Sequence, residues 1–180
     1  MVIMVSLEGG AESRRRQPVT LDIFLKLDGI KGESTDAQHR EEIDVASFSL
    51  GLSQQRTTGT GGGSGAGKAD FQDLHVVTNV SQASPQLFLA CAAGRHIQTA
   101  VLTCRRAGGS HQQDFLKYTL SDVLVASYHT DGQAEDSVPV DEVSFKYAQV
   151  KVEYRPQRAD GSLGAPITAG WNLKTNEPLE

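Results

Sequence analysis

The chain has few cysteines, no long apolar run and no surplus of positive charge, and each shortage removes a class of function. Only Cys91 and Cys104 occur among 180 residues, too few for a disulfide-stapled scaffold, so both are expected to be reduced and to serve as small apolar side chains. No stretch approaches the roughly 20 apolar residues that a spanning helix needs, so no membrane insertion is expected. The opening Met1-Val2-Ile3-Met4-Val5-Ser6-Leu7 is apolar but short, and Arg14, Arg15 and Arg16 follow it, the reverse of a secretory signal. A formal charge of -5 gives no electrostatic footprint for nucleic acid. His39, His75, His96, His111 and His129 stand apart, without cysteine or histidine partners at zinc-ligand spacing. With no nucleophile and base in sight either, neither a metal, a cofactor nor catalysis is expected.

What the chain does have is a glycine-rich stretch, Gly59 to Lys68. From Gly62 through Gly67 and Lys68 it nearly matches the phosphate-binding pattern GxxxxGK[ST]. Ala69 stands where that pattern requires a hydroxyl for magnesium, and Asp70 to Val77 reads as a strand where a helix should open. A glycine loop between two strands is therefore expected, without nucleotide chemistry.

With 38% hydrophobic residues and 18 glycines, the composition is that of a globular protein of one domain. Residues 1–20 lack periodicity and read as a disordered leader or added extension, 21–174 as one domain, and 175–180 as a short tail. Leu21, Ile23, Leu25 and Leu27 alternate with Asp22, Phe24 and Lys26, the period of a strand with one face in a core. Asp28-Gly29 turns the chain, and Gly32 to Glu42, with Glu33, Asp36, His39, Glu41 and Glu42, reads as a solvated polar loop. In Ile43 to Ser53 one face offers Ala46, Phe48, Leu50 and Leu52, the other Val45, Ser47, Ser49, Gly51 and Ser53. The second face is small and polar enough to line a channel.

Ser84 as N-cap, Pro85 in the first turn and Gly94 as a left-handed stop predict a helix, with Leu87, Ala90 and Cys91 towards a sheet and Phe88 flanking them. Strands then follow one another. Residues 97–106, 115–120 and 123–128 (the last two one long bent strand across Ser121-Asp122), Val143 to Tyr154, and a short strand around Ile167 to Leu173 with Trp171 in the core are expected. Many short strands with one helix predict a mainly β protein, a two-sheet β-barrel with a flanking α-helix at about Ser84 to Ala93.

The ordered blocks Asp22-Ile23-Phe24-Leu25-Lys26, Asp28-Gly29-Ile30-Lys31-Gly32-Glu33-Ser34, Glu42-Ile43-Asp44-Val45, Gly65-Ala66-Gly67-Lys68, Ser84-Pro85, Ala90-Cys91, Gly94-Arg95-His96, Arg106-Ala107-Gly108-Gly109, Val150-Lys151-Val152-Glu153-Tyr154, Ala159-Asp160-Gly161 and Gly170-Trp171-Asn172 carry a resemblance. The chain resembles the haemolysin-coregulated protein family, tube-forming components of the bacterial type VI secretion system. The resemblance implies a homohexamer whose rings stack into a tube, with effector proteins as cargo and the spike, sheath and baseplate proteins as further partners. It also implies residence in the bacterial cytoplasm, then secretion through the type VI system without a signal peptide. By position the extended inter-ring loop of the family is Leu52 to Lys68, with Leu52, Ser53, Gly59, Gly61, Gly62, Gly63, Gly65, Gly67 and Lys68 as its contact residues. Within a tube, Ser47 and Ser49 are expected to face the lumen. The alternative that strand alternation alone allows is a small-molecule-binding β-barrel. It requires an apolar cavity, and a core filled by Phe48, Leu50, Leu102, Phe145 and Trp171 counts against it.

Overall fold

A computed structural model describes residues 21–54, 69–106 and 112–179. The alternating segments form β1 (Leu21–Leu27), β2 (Ile43–Ser49), β5 (Leu74–Asn79), β6 (His96–Arg106), β7 (Gln113–Asp131) and β8 (Val140–Lys146). Their antiparallel pairing runs β7-β6-β1-β2-β5-β8 and returns from β8 to β7, closing a six-stranded barrel. Closure removes the free edges that an open sheet would expose. Leu25, Leu74, Leu102, Leu120, Val143 and Phe145 fill the interior, as side chains do in a barrel this small. Phe48, Leu50 and Trp171 pack against that core half-buried, and the filled interior leaves the small-molecule reading without its cavity.

One strand organises the rest. β7 is a single 19-residue strand, as the broken apolar pattern around Ser121-Asp122 predicts. Along one edge it pairs with β6. Along the other it pairs first with β9 (Gln149–Tyr154) through Leu116 to Ser121, then with β8 through Leu124 to Asp131. At the exchange of partners Asp122 adopts φ 54°, a left-handed conformation that aspartate tolerates better than most residues. Outside the barrel, β10 (Ile167–Asn172) pairs with β9, and β11 (Glu177–Pro178) pairs with β10. These three strands make a wing on the first half of β7. A separate hairpin, β3 (Leu52–Gln54) with β4 (Ala69–Phe71), stands off the barrel.

The helix α1 (Ser84–Ala93) ends as expected at Gly94, φ 59°. Its start differs. Ala83 is the N-cap and no side chain caps it. Ser84 instead accepts the N–H of Ser81 at 2.9 Å and donates its hydroxyl to Asp141, a fully buried carboxylate that also accepts Tyr128 at 2.8 Å and Thr130 at 2.7 Å. Leaving a buried carboxyl without partners would cost more than leaving one helical amide uncapped, and three hydroxyls satisfy it. Leu87 and Ala90 enter the core as expected, whereas Cys91 is only half-buried and Phe88 is exposed.

Two further corrections have local causes. A bulge in the β2–β5 pairing lies between Val45 and Ser47, so Ile43 and Val45 point inward before it and Phe48 after it. Val45 thus leaves the serine face to which strict alternation assigned it and Ala46 turns to solvent, while Leu52 is exposed because it lies in the hairpin that stands off the barrel. The loop over residues 32–42 is docked, not solvated. Arg105, buried in β6, grips both Asp36 carboxylate oxygens at 2.9 and 2.6 Å. His39 is buried, stacked on Phe24 at 4.2 Å, with its ring nitrogens 2.9 Å from Glu42 and 3.2 Å from Asp114. Phe24 is buried by that stack, although alternation placed it with the outward residues. Gly32 lets the loop close, because a Cβ there would lie 2.3 Å from the Glu42 carbonyl oxygen.

Candidate assembly surfaces

The described surface is built from backbone register upward. Directly paired residues share a face of a sheet, so the wing presents three cross-strand rows on the side continuous with the barrel interior. These are Leu120–Val150–Trp171, Tyr118–Val152–Ala169 and Leu116–Tyr154–Ile167. Burial fades along this face. Leu120 is 0% exposed, Val150 8%, Tyr154 40% and Ile167 65%. The opposite face carries Lys117, Glu153 and Lys151, so the wing is amphipathic, and its apolar side becomes exposed at Tyr154 and Ile167. A contiguous exposed apolar face of this kind marks a contact surface.

The second apolar surface is the outer ridge of α1. Phe88 and Leu89 are 59% and 62% exposed, and no charged residue occurs from Ser81 to Gly94. Phe88 is steadied edge-on against Tyr128, with ring centroids 6.0 Å apart.

A third surface is polar. Ser47 and Ser49 are both exposed, and register extends their face through Val77 and His75 on β5 to Glu142 and Ser144 on β8, then to His129 and Ser127 on β7. His75 Nδ1 lies 2.7 Å from the Ser144 hydroxyl. The barrel wall therefore carries small and polar side chains across four strands, with only Val77 apolar.

Leu52 and Ser53 sit on the standing hairpin, where Leu52 is exposed. Gly59, Gly61, Gly62, Gly63, Gly65, Gly67 and Lys68 lie outside the described residues. Immediately after them comes β4, a strand, so the helix that a phosphate loop must open is not there. The hairpin's base is fixed to the barrel by Tyr147, whose buried hydroxyl donates to the Gln72 carbonyl at 3.0 Å. Burial pushes that phenol up to about 12, so it remains a donor throughout the physiological range.

Electrostatics at the docked loop are structural. Hydrogen bonds from the Arg105 guanidinium hold the Asp36 carboxyl well below the usual carboxylate range. Among the described residues no group of histidine, cysteine and acidic side chains is arranged to hold a metal ion, and no helix is long and apolar enough to cross a membrane.

Of these surfaces, sequence reading found the serine strip and the hairpin but missed the wing face and the helix ridge. The signals were present in Val150, Val152 and Tyr154 at alternate positions, and in Phe88-Leu89 within an uncharged segment. What alternation does not report is whether the apolar side has anything to lie against.

Comparison with known proteins agrees with this architecture. The family described as "Type VI secretion system effector, Hcp" matches residues 24–154. Protein hcp1 of Pseudomonas aeruginosa is 43% identical over 159 residues, covering 88% of this chain and 98% of the relative. The crystal structure of Hcp1 from Salmonella typhimurium superimposes with a TM-score of 0.75 at 37% identity, covering 88% of this chain and 99% of that one. A structure described as a type six secretion system protein gives a TM-score of 0.83 at 32% identity, covering 89% and 100%. The filled barrel, its wing and these matches agree that the chain belongs to the Hcp family and is a tube subunit of the type VI secretion system.

Proposed function

We propose that six copies of this chain close into a ring, that rings stack into a tube, and that the tube carries effector proteins along its lumen. The observation that carries the reading is the wing's apolar face, left uncovered out to Ile167 at 65% exposure in a single copy. A second copy covers it at the least cost, and a contact repeated head to tail closes into a ring with no patch left over. The tube leaves the bacterial cytoplasm through the type VI machinery without a signal peptide, driven by sheath and baseplate proteins behind a spike. Light scattering with electron microscopy tests the assembly. Rings of six are expected, and a strictly monomeric particle at high concentration overturns the reading.

Within that tube, the serine strip faces the lumen. Its small polar side chains offer a smooth wet wall. Ser49→Glu should leave rings intact and change cargo retention, read by co-purification of effector with rings, whereas loss of the ring would mean that the strip lies at a subunit contact. The hairpin and the segment it holds, from Leu52 to Lys68, reach towards the neighbouring ring. Shortening Gly59 to Gly67 should deplete tubes more than rings in micrographs.

A further inference from the structure

We infer that Asp141 is a positioning residue for assembly: buried where α1 meets β7 and β8, it fixes the stance of the α1 ridge that each copy presents. The inference rests on the ring reading, with that ridge among the contact surfaces. At this end of the barrel the apolar interior gives way to a polar row, Thr78–Asp141–Thr130, paired directly across β5, β8 and β7. Asp141 is fully buried, and its partners among the described residues are three hydroxyls and no cation. For stability alone such a carboxylate is a costly choice, since an apolar side chain fills the same space without the loss of hydration. What a satisfied polar network supplies is direction. Its hydrogen bonds hold only within a narrow range of distance and angle, whereas apolar contacts let packed elements slide.

Two of the three hydroxyls lead to the ridge. Ser84 is the first residue of α1 and carries, among the described residues, the one side-chain hydrogen bond from the helix to the barrel. Tyr128 donates to the same carboxylate at 2.8 Å and packs edge to face with Phe88, the ring planes 79° apart. Burial pushes the Tyr128 phenol up, so it keeps the proton that it donates. The helix needs this guidance. It has ten residues, no side-chain cap, and Leu87 and Ala90 as its buried apolar anchors, and helices shorter than roughly 12 residues are marginal by themselves. Asp141 therefore ties the first residue of the helix and the ring beneath Phe88 to a single point on β8. Phe88 and Leu89 are held in place before a neighbour arrives, and a preorganised surface loses less freedom on association.

The test uses the full-length chain and two variants that spare the ridge, Ser84→Ala and Tyr128→Phe, the second keeping the ring beneath Phe88 and removing only its hydroxyl. Assembly is read by sedimentation well below the melting temperature, with circular dichroism melts to verify that each chain is folded. Each variant should weaken assembly by about 10-fold. Ile43→Val removes one methyl from the interior on β2, outside both the Asp141 network and the wing, and should lower the melt while leaving assembly within about 2-fold of the unmodified chain. A merely structural role makes assembly follow stability, so equal weakening by Ile43→Val overturns the positioning role. Full-strength assembly in Ser84→Ala and Tyr128→Phe overturns it as well. Leu89→Asp, on the ridge itself, should weaken assembly more than either. Rings that persist in Leu89→Asp remove the ridge from the contact, and the inference with it, while leaving the ring standing. A monomeric unmodified chain overturns the ring reading instead, which separates the two failures.

Discussion

The barrel and the wing are made from the same materials and share β7, yet one is closed and the other is not. In the barrel, every apolar row meets another across the interior, and Leu74, Leu102, Leu120 and Phe145 are 0% exposed. In the wing, the rows continue outward with similar residues, and beyond Val150 and Trp171 their cover thins until Ile167 is 65% exposed. The difference teaches that the barrel uses its hydrophobic surface to fold one copy, whereas the wing leaves part of its own exposed at Tyr154 and Ile167.

The comparison can be broken most severely inside the barrel. Phe145→Ala should destabilise the fold by about 3–5 kcal/mol, measured by chemical denaturation, and a loss below about 1 kcal/mol would mean that the interior relaxes far more than its packing implies. Next comes Arg105→Ala, which strands Asp36 and loosens the docked loop. A loss of about 3 kcal/mol is expected, in the same unfolding measurement.

A smaller effect follows from pH. The Asp36 carboxyl is held low by Arg105 in the folded chain, so its contribution is fully present above the ordinary carboxylate pKa of about 4 and is lost as pH falls through the lower folded value. Melting temperature should therefore drop on acidification below about pH 4, and Arg105→Ala should flatten that part of the profile. An unchanged slope in the variant would remove Asp36 as the cause. Smallest of all, Ile167→Ala should shift monomer stability by no more than about 0.5 kcal/mol while measurably weakening assembly. Should it instead unfold the chain as Phe145→Ala does, the wing belongs to the folding core and the contrast fails.

How much of this was legible beforehand depended on range. The β1, β6 and β9 alternations, the long β7 and the Gly94 helix stop were readable because each is a local pattern with a local cause. The Val45/Ser47 bulge was not, since an extra residue in a strand shows only against its partner. Nor was the buried Arg105, whose partner Asp36 lies far off in sequence. Ser84 looked like a cap by its neighbours and became a ligand of Asp141 by its fold. At the candidate surfaces, Ser47 and Ser49 were visible by composition, while the wing face was read as ordinary strand.

The amino-acid sequence by itself determined the strand periods, the single helix and its stop, and, through ordered blocks from Asp22 to Asn172, the family. Tertiary structure alone decided which apolar rows are covered. Period is a property of neighbours along the chain, but burial is a property of what lies across from them, and along the wing that cover thins out from Leu120 to Ile167.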